Sequence, residues 1–270
     1  MKLVSSLAVW TLSVCSLAWL TGCASTQGAP ASVAAKPDRV TESDEPDSRR
    51  RARLRLELAS GYFEQGQVNV ALDELKQALV VDPNYIDAYN LRGLVYMRLN
   101  DPVLAEDSFK RALALSPKDA DIAHNYGWFL CQQARYPESV RLFEQAIANP
   151  LYTSRAKSLM TQGLCQARAG QRPQAEQSLT KAYELDAGNP VIGYNLSSLL
   201  FERGDLTRSQ FYIRRLNNSE LANAETLWLG IKIEQRMNNL EAMQQLASQL
   251  QRRYAQSKEA ALFEKRAFNE

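Results

Sequence analysis

A single histidine, His124, stands in a chain of 270 residues. That scarcity removes zinc helices that need two histidines on one face, and any His-rich metal site. Gly-rich phosphate loops of the Walker type are missing, as is a Gly-x-Ser-x-Gly nucleophile elbow. His124 and Cys131, seven residues apart, are spaced for ordinary helix packing rather than as a thiol dyad. The chain therefore reads as non-enzymatic, with no catalytic residues, metal or cofactor. Charge of one sign is lacking too: 32 Lys and Arg against 30 Asp and Glu leave +2, which argues for no polyanion-binding surface and no nucleic-acid partner. The one basic cluster is Arg49, Arg50, Arg51, Arg53 and Arg55. It falls where a first helix should begin, which opposes the helix dipole. It reads as a solvated helix face or, alternatively, as a contact for phosphate or lipid headgroups.

Long apolar runs occur once, from Leu3 to Leu20 behind Lys2, and that run closes on Leu20-Thr21-Gly22-Cys23. A basic start and an apolar centre fit a secretory signal. The closing tetrapeptide resembles the lipobox of bacterial lipoprotein precursors. The resemblance implies a signal peptide over 1–22, a diacylglyceryl thioether on Cys23 and an acyl group on its amine. The other reading is an uncleaved membrane anchor, since about 18 apolar residues is the lower edge of a spanning helix. Ala24 to Val33 is small and polar, with no charge before Lys36, and favours cleavage. In such lipoproteins Asp directly after the cysteine tends to retain the protein in the inner membrane. Ala24 points instead to the periplasmic face of the outer membrane. Residues 23–48, rich in Ala, Ser, Pro, Asp and Glu, cannot bury enough surface to order themselves. They read as a tether with a reach of roughly 27 Å.

Beyond Ser48 the apolar spacing is helical and the sequence repeats. Ala59, Tyr62, Gly66, Ala71, Leu75, Ala78 and Pro83 recur 34 residues later as Gly93, Tyr96, Asn100, Ala105, Phe109, Ala112 and Pro117. A third copy carries Gly127, Leu130, Ser139, Phe143 and Ala146. A fourth carries Gly163, Gly170, Ala175, Leu179 and Ala182, two residues late, as if Thr153 to Arg155 lengthened one turn. Two degenerate copies follow, one around Ser197, Leu200, Gly204, Ser209 and Ile213, the other around Trp228, Gly230, Asn238 and Leu250. The small residues let two antiparallel helices approach, the aromatic or Leu fills the gap, and the Pro stops the second helix.

These marks resemble the tetratricopeptide repeat. The implied fold is all-α: a right-handed superhelical solenoid of about six repeats over 49–257, starting at 52, 86, 120, 156, 190 and 224. A C-terminal capping helix over 258–270 carries Phe263 and Phe268, because a terminal repeat needs its open face covered. Such a solenoid lines its groove with first helices. The inward offsets give Leu56, Ser60 and Phe63, then Asn90, Leu94, Met97 and Arg98, then His124, Trp128, Cys131 and Gln132. Met160, Leu164 and Arg168 follow, then Tyr194 and Phe201. This mixture suits an extended peptide or a helix, although each residue could equally be packing between repeats. The regular Lys/Asn pattern of repeats that clamp C-terminal carboxylates is not found.

Four cysteines reduce to two once Cys15 leaves with the signal and Cys23 is acylated. Cys131 and Cys165 lie 34 apart, on first helices of adjacent repeats. In an oxidising periplasm a pair within about 7 Å between Cα atoms would be bridged. The inserted residues and the frequency of buried free cysteine in helices leave two free thiols as the other reading.

The segments Tyr89-Asn90-Leu91-Arg92-Gly93-Leu94, Ala105-Glu106-Asp107-Ser108-Phe109, His124 to Cys131 and Tyr136-Pro137 are similar to the type IV pilus biogenesis and stability lipoproteins, the PilF/PilW family. The similarity extends over nearly the whole mature chain, is weakest in the last two repeats, and includes the paired cysteines. It implies a pilotin, which binds secretin subunits, accompanies them to the outer membrane and promotes their assembly into multimers. The groove of the first three repeats would hold the secretin, with Phe63, Leu94, Met97 and Trp128 as apolar anchors and Asn90 and Arg98 as polar fixing groups. A general outer-membrane or cell-wall assembly scaffold is the alternative, and a periplasmic enzyme accessory a more distant one.

Overall fold

The computed structural model describes residues 44–268. The lipobox, Cys23 and nearly all of the 23–48 tether lie outside them. Thirteen helices and no strand occur among the described residues. They are α1 (Asp47–Glu64), α2 (Val68–Val81), α3 (Ile86–Arg98), α4 (Pro102–Leu115), α5 (Ala120–Gln132), α6 (Tyr136–Ala148), α7 (Arg155–Arg168), α8 (Arg172–Leu185), α9 (Pro190–Arg203), α10 (Leu206–Asn217), α11 (Ala224–Arg236), α12 (Leu240–Arg253) and α13 (Lys258–Glu264). None is long and apolar enough to cross a membrane.

Helices of 12 to 14 residues are marginal alone in water, so stacking and local stop signals set the architecture. After each first helix one residue adopts a left-handed backbone: Gly66, Asn100, Ala134, Gly170, Gly204 and Asn238, with φ between 55° and 90°. They recur every 34 residues, except for 36 between Ala134 and Gly170. The following N–H bonds back to the carbonyl five residues earlier each time, from Gln67 to Tyr62 at 2.8 Å through Asn239 to Glu234 at 2.9 Å, the Schellman geometry. Second helices start on side-chain caps where the sequence supplies one. Asp101 accepts from Leu104 N, Asp205 from Arg208 N and Asn239 from Ala242 N.

Within a repeat the small residue of the first helix meets the large one of the second. A Cβ added at Gly93 would come within 2.6 Å of the Phe109 ring, and one at Gly163 within 2.7 Å of Leu179. Phe109, Phe143 and Leu179 are fully buried. Each second helix packs on the next first helix. Direct contacts also join α1 to α3, α3 to α5, α5 to α7 and α9 to α11, while the second helices have no comparable contact with one another. The first helices converge and so line the inner face.

Three boundaries differ from the sequence reading. Asp47 and Ser48, assigned to the tether, already belong to α1, which begins behind Pro46 with Asp47 placed favourably at the dipole's positive end. The extra length before α7 is the connection Asn149 to Ser154, and Tyr152 fills it by burying itself against Ala120, Ala123 and Ala146. The capping helix stops at Glu264 instead of continuing to 270. Arg266 turns left-handed with φ 55°, Ala267 N bonds to Leu262 O at 3.0 Å, and the reversal stacks Phe268 on Trp228.

Three of the five arginines of the α1 cluster pair closely with carboxylates, while Arg50 and Arg51 are exposed. Arg49 pairs with Asp82, Arg53 with Glu45 and Glu57 at 3.2 and 3.0 Å, and Arg55 with Glu74 at 2.7 Å. Arg49 also lies over the Tyr85 ring, 4.8 Å from its centre.

Candidate partner-binding groove

The six residues proposed to meet a partner stand on three consecutive first helices: Phe63 on α1, Asn90, Leu94, Met97 and Arg98 on α3, and Trp128 on α5. Each apolar member is half-buried. Phe63 rests against the first-repeat core that includes Ala59 and Leu75. Leu94 and Met97 rest against the core of Ala105, Phe109, Tyr126 and Phe129. Trp128 packs beside Cys131, Phe143 and Cys165. Each is partly exposed while packed against a buried cluster, so these side chains are held in place before any partner arrives. That lowers the entropy cost of binding. Asn90 Oδ1 accepts from Asn125 Nδ2 at 3.1 Å, tying α3 to α5, and Arg98 is exposed at the end of its helix.

Two other residues assigned to the groove do not line it. His124 is 5% exposed and Cys131 3%, because both face the next repeat instead of the inner face. Cys131 is joined to Cys165 with Cα atoms 5.9 Å apart, so no thiol stands beside the histidine. His124 Nδ1 lies 2.7 Å from Ser158 Oγ, and Ser158 Oγ donates to the Tyr152 hydroxyl at 3.2 Å. Burial, assisted by Lys157, pushes the imidazole down to about 4; it stays neutral and acts as a clamp between repeats. Among the described residues no cluster of His, Cys, Asp and Glu could hold a metal ion.

Sequence spacing missed a pairing across the inner face: an arginine of one first helix covers an aromatic ring of the preceding one. The Arg168 guanidinium lies 5.6 Å from the centre of Trp128, and Arg236 lies 4.3 Å from that of Phe201. Such stacking contributes about 0.5–1 kcal/mol at exposed sites. The available signal was that α3, α7, α9 and α11 all end on arginine.

Family comparisons place the repeats. The family described as TPR repeat matches residues 60–100, and tetratricopeptide-repeat families match 86–119 and 130–190. The type IV pilus assembly protein PilF of Pseudomonas aeruginosa is 27% identical over 209 residues, which cover 77% of this chain and 83% of PilF. The chain is a tetratricopeptide-repeat protein homologous to PilF and PilW. The crystal structure of PilW, a widely conserved type IV pilus biogenesis factor, superposes with a TM-score of 0.71 at 29% identity, covering 78% of this chain and 97% of PilW. The structure of Pseudomonas aeruginosa PilF gives a TM-score of 0.72 at 25% identity, covering 82% of this chain and 100% of that one. The likeness spans all of both solved neighbours save a few residues, so the solenoid is shared as a whole rather than repeat by repeat.

Proposed function

We propose that this chain serves type IV pilus biogenesis as a pilotin. Acyl chains on Cys23 anchor it at the periplasmic face of the outer membrane. Its repeats hold a secretin subunit, deliver it to that membrane and promote its assembly into multimers. The observation that carries the reading is the homology to PilF and PilW over more than three quarters of the chain. The inner face of the first three repeats supports it, since Phe63, Leu94, Met97 and Trp128 offer half-buried apolar edges beside Asn90 and Arg98. Preordered aromatic, Met and Arg side chains are the usual anchors of protein interfaces. The protein acts as a scaffold and performs no chemistry of its own. Two or three acyl chains make the anchorage stable where one alone would be marginal.

Replacing Leu94 and Trp128 together with Glu should abolish secretin multimers in the outer membrane while far-UV circular dichroism stays helical. Normal multimer levels in cells carrying that variant would overturn the reading. Cys23→Ala should retain the partner but leave it in the wrong membrane.

A further inference from the structure

Between α6 and α8, on the side of α7 away from the inner face, lies a cleft of about 720 Å³, within the size range of ligand sites. Its floor is Arg155, Leu159, Gln162 and Gln166 of α7. Each helical residue turns the chain by about 100°, so Gln162 and Gln166, two places to either side of Leu164, point away from it. Gln174, Gln177 and Ser178 of α8 form one wall and Ile147 and Ala148 of α6 the other. Because α7 and α8 run antiparallel, Leu185 lies at the Leu159 end. The charged members are Glu144, Arg155, Lys181 and Glu184, all exposed, and their charges cancel.

Gln162 and Gln166 stand eight and four places before the left-handed Gly170. The third repeat has Tyr126 and Leu130 at these places and the fifth has Leu196 and Leu200. The charged residues found there in other repeats are paired. Arg92 donates to Ser108 Oγ at 2.9 Å, and Glu234 accepts from Arg214, Gln210 and Asn239. The fourth repeat differs. Gln162 is 5% exposed and Gln166 6%, yet the only bond their side chains make among the described residues is from Ser178 Oγ to Gln166 Oε1 at 2.7 Å. The unpartnered atoms, both of the Gln162 amide and Nε2 of Gln166, are not sealed off, so they open on the cleft that these residues line. A buried amide without a partner costs free energy. Packing does not require it, since leucine fills both places in the fifth repeat with no exposure.

We propose that this cleft docks an extended, uncharged peptide segment of a partner protein and captures it through its main chain. In an extended chain the N–H and C=O of one residue point to the same edge, and the next pair on that edge follows about 6.6 Å along. The rise from Gln162 to Gln166 is about 6 Å. Each glutamine amide, an acceptor and a donor side by side, can therefore meet the N–H and C=O of one of two alternate residues. Gln166 Oε1 keeps Ser178 on one lone pair and takes a peptide N–H on the other. With that edge on α7 the side chains project alternately to the two walls. Apolar ones lie against Ile147 and Ala148, and polar ones against Gln174, Gln177 and Ser178. From Arg155 to Gln166 the floor runs roughly 16 Å, the length of about five extended residues. Main-chain bonds of this kind supply affinity and the alternating walls supply selectivity.

The test is fluorescence anisotropy of the detergent-solubilised full chain with a labelled peptide of sequence Gly-Ser-Val-Thr-Val-Ser-Gly, alongside the same peptide N-methylated at every central nitrogen. The unmodified peptide should bind, and methylation should weaken binding by about tenfold or more. Gln162→Leu with Gln166→Leu should cause a similar loss while unfolding in urea no earlier than the native protein. The Leu94 and Trp128 double variant should bind the peptide normally, which separates this site from the secretin groove. No binding of the unmodified peptide would overturn the proposal. Equal binding of the methylated peptide would overturn it too, by showing a cleft that takes side chains alone. Binding left intact by the two leucines in a folded protein would do the same, and if that variant unfolds, the two peptides on the native chain decide.

Discussion

Acidification from pH 7 to pH 5 should weaken the solenoid through one residue. His124 is buried between the third and fourth repeats with its imidazole at about 4 against an ordinary value of 6.5. The native value lies below the unfolded one, so the unfolded chain takes up the proton first as pH falls. The stability this residue contributes is whole above about 6.5 and drains away toward 4. Integrating between those two values gives about 2 kcal/mol lost from pH 7 to pH 5, and about 3 kcal/mol once pH 4 is passed. Glu106 does not confuse the comparison. Burial raises its carboxyl, but hydrogen bonds from Arg135, Lys110 and Tyr126 outweigh that and hold it at about 2, so its contribution is lost only below about 4.5. The assay is urea unfolding of the native protein and of His124→Gln at pH 7 and pH 5. The native protein should lose about 2 kcal/mol more than the variant over that interval. Equal losses would show that His124 is not the group that titrates and would refute the assigned burial.

Three further changes probe the repeat architecture. Ala134 is the one alanine among the left-handed turn residues, at φ 57°, and Ala134→Gly should raise stability in denaturant by roughly 0.5–1 kcal/mol. Gly93→Ala should cost about 1–3 kcal/mol, because the new methyl would meet the Phe109 ring. A melting temperature unchanged by that substitution would contradict the close approach of α3 to α4. Replacing both Cys131 and Cys165 with Ala opens a link across 34 residues, so thermal unfolding should reveal a loss of about 3–4 kcal/mol. Reducing agent should leave the doubly substituted protein unaffected.

The repeat was legible because a helix pair needs the same few residue types at the same places. Gly93 against Phe109 and Gly163 against Leu179 are steric pairs, and a steric requirement leaves its mark on the sequence. Gly66, Asn100, Gly170, Gly204 and Asn238 mark the turns for the same reason, while Ala134 shows that position in the stack can impose a left-handed turn without the residue that favours it. The inner face was less legible. His124 and Trp128 are four residues apart on α5, yet one is sealed by Ser158 and Tyr152 and the other stays half-open beneath Arg168. That difference depends on the rotation of one repeat against the next, which a 34-residue period does not encode.

The central claim, that the inner face of the early repeats holds a secretin, is tested most directly by a photo-crosslinking amino acid placed at Met97 in cells. The same group at Val103 on α4, which is 75% exposed, serves as control. The account predicts a secretin adduct from Met97 and none from Val103. An adduct from Val103 alone, or none from Met97 in cells that assemble secretin multimers, would contradict it.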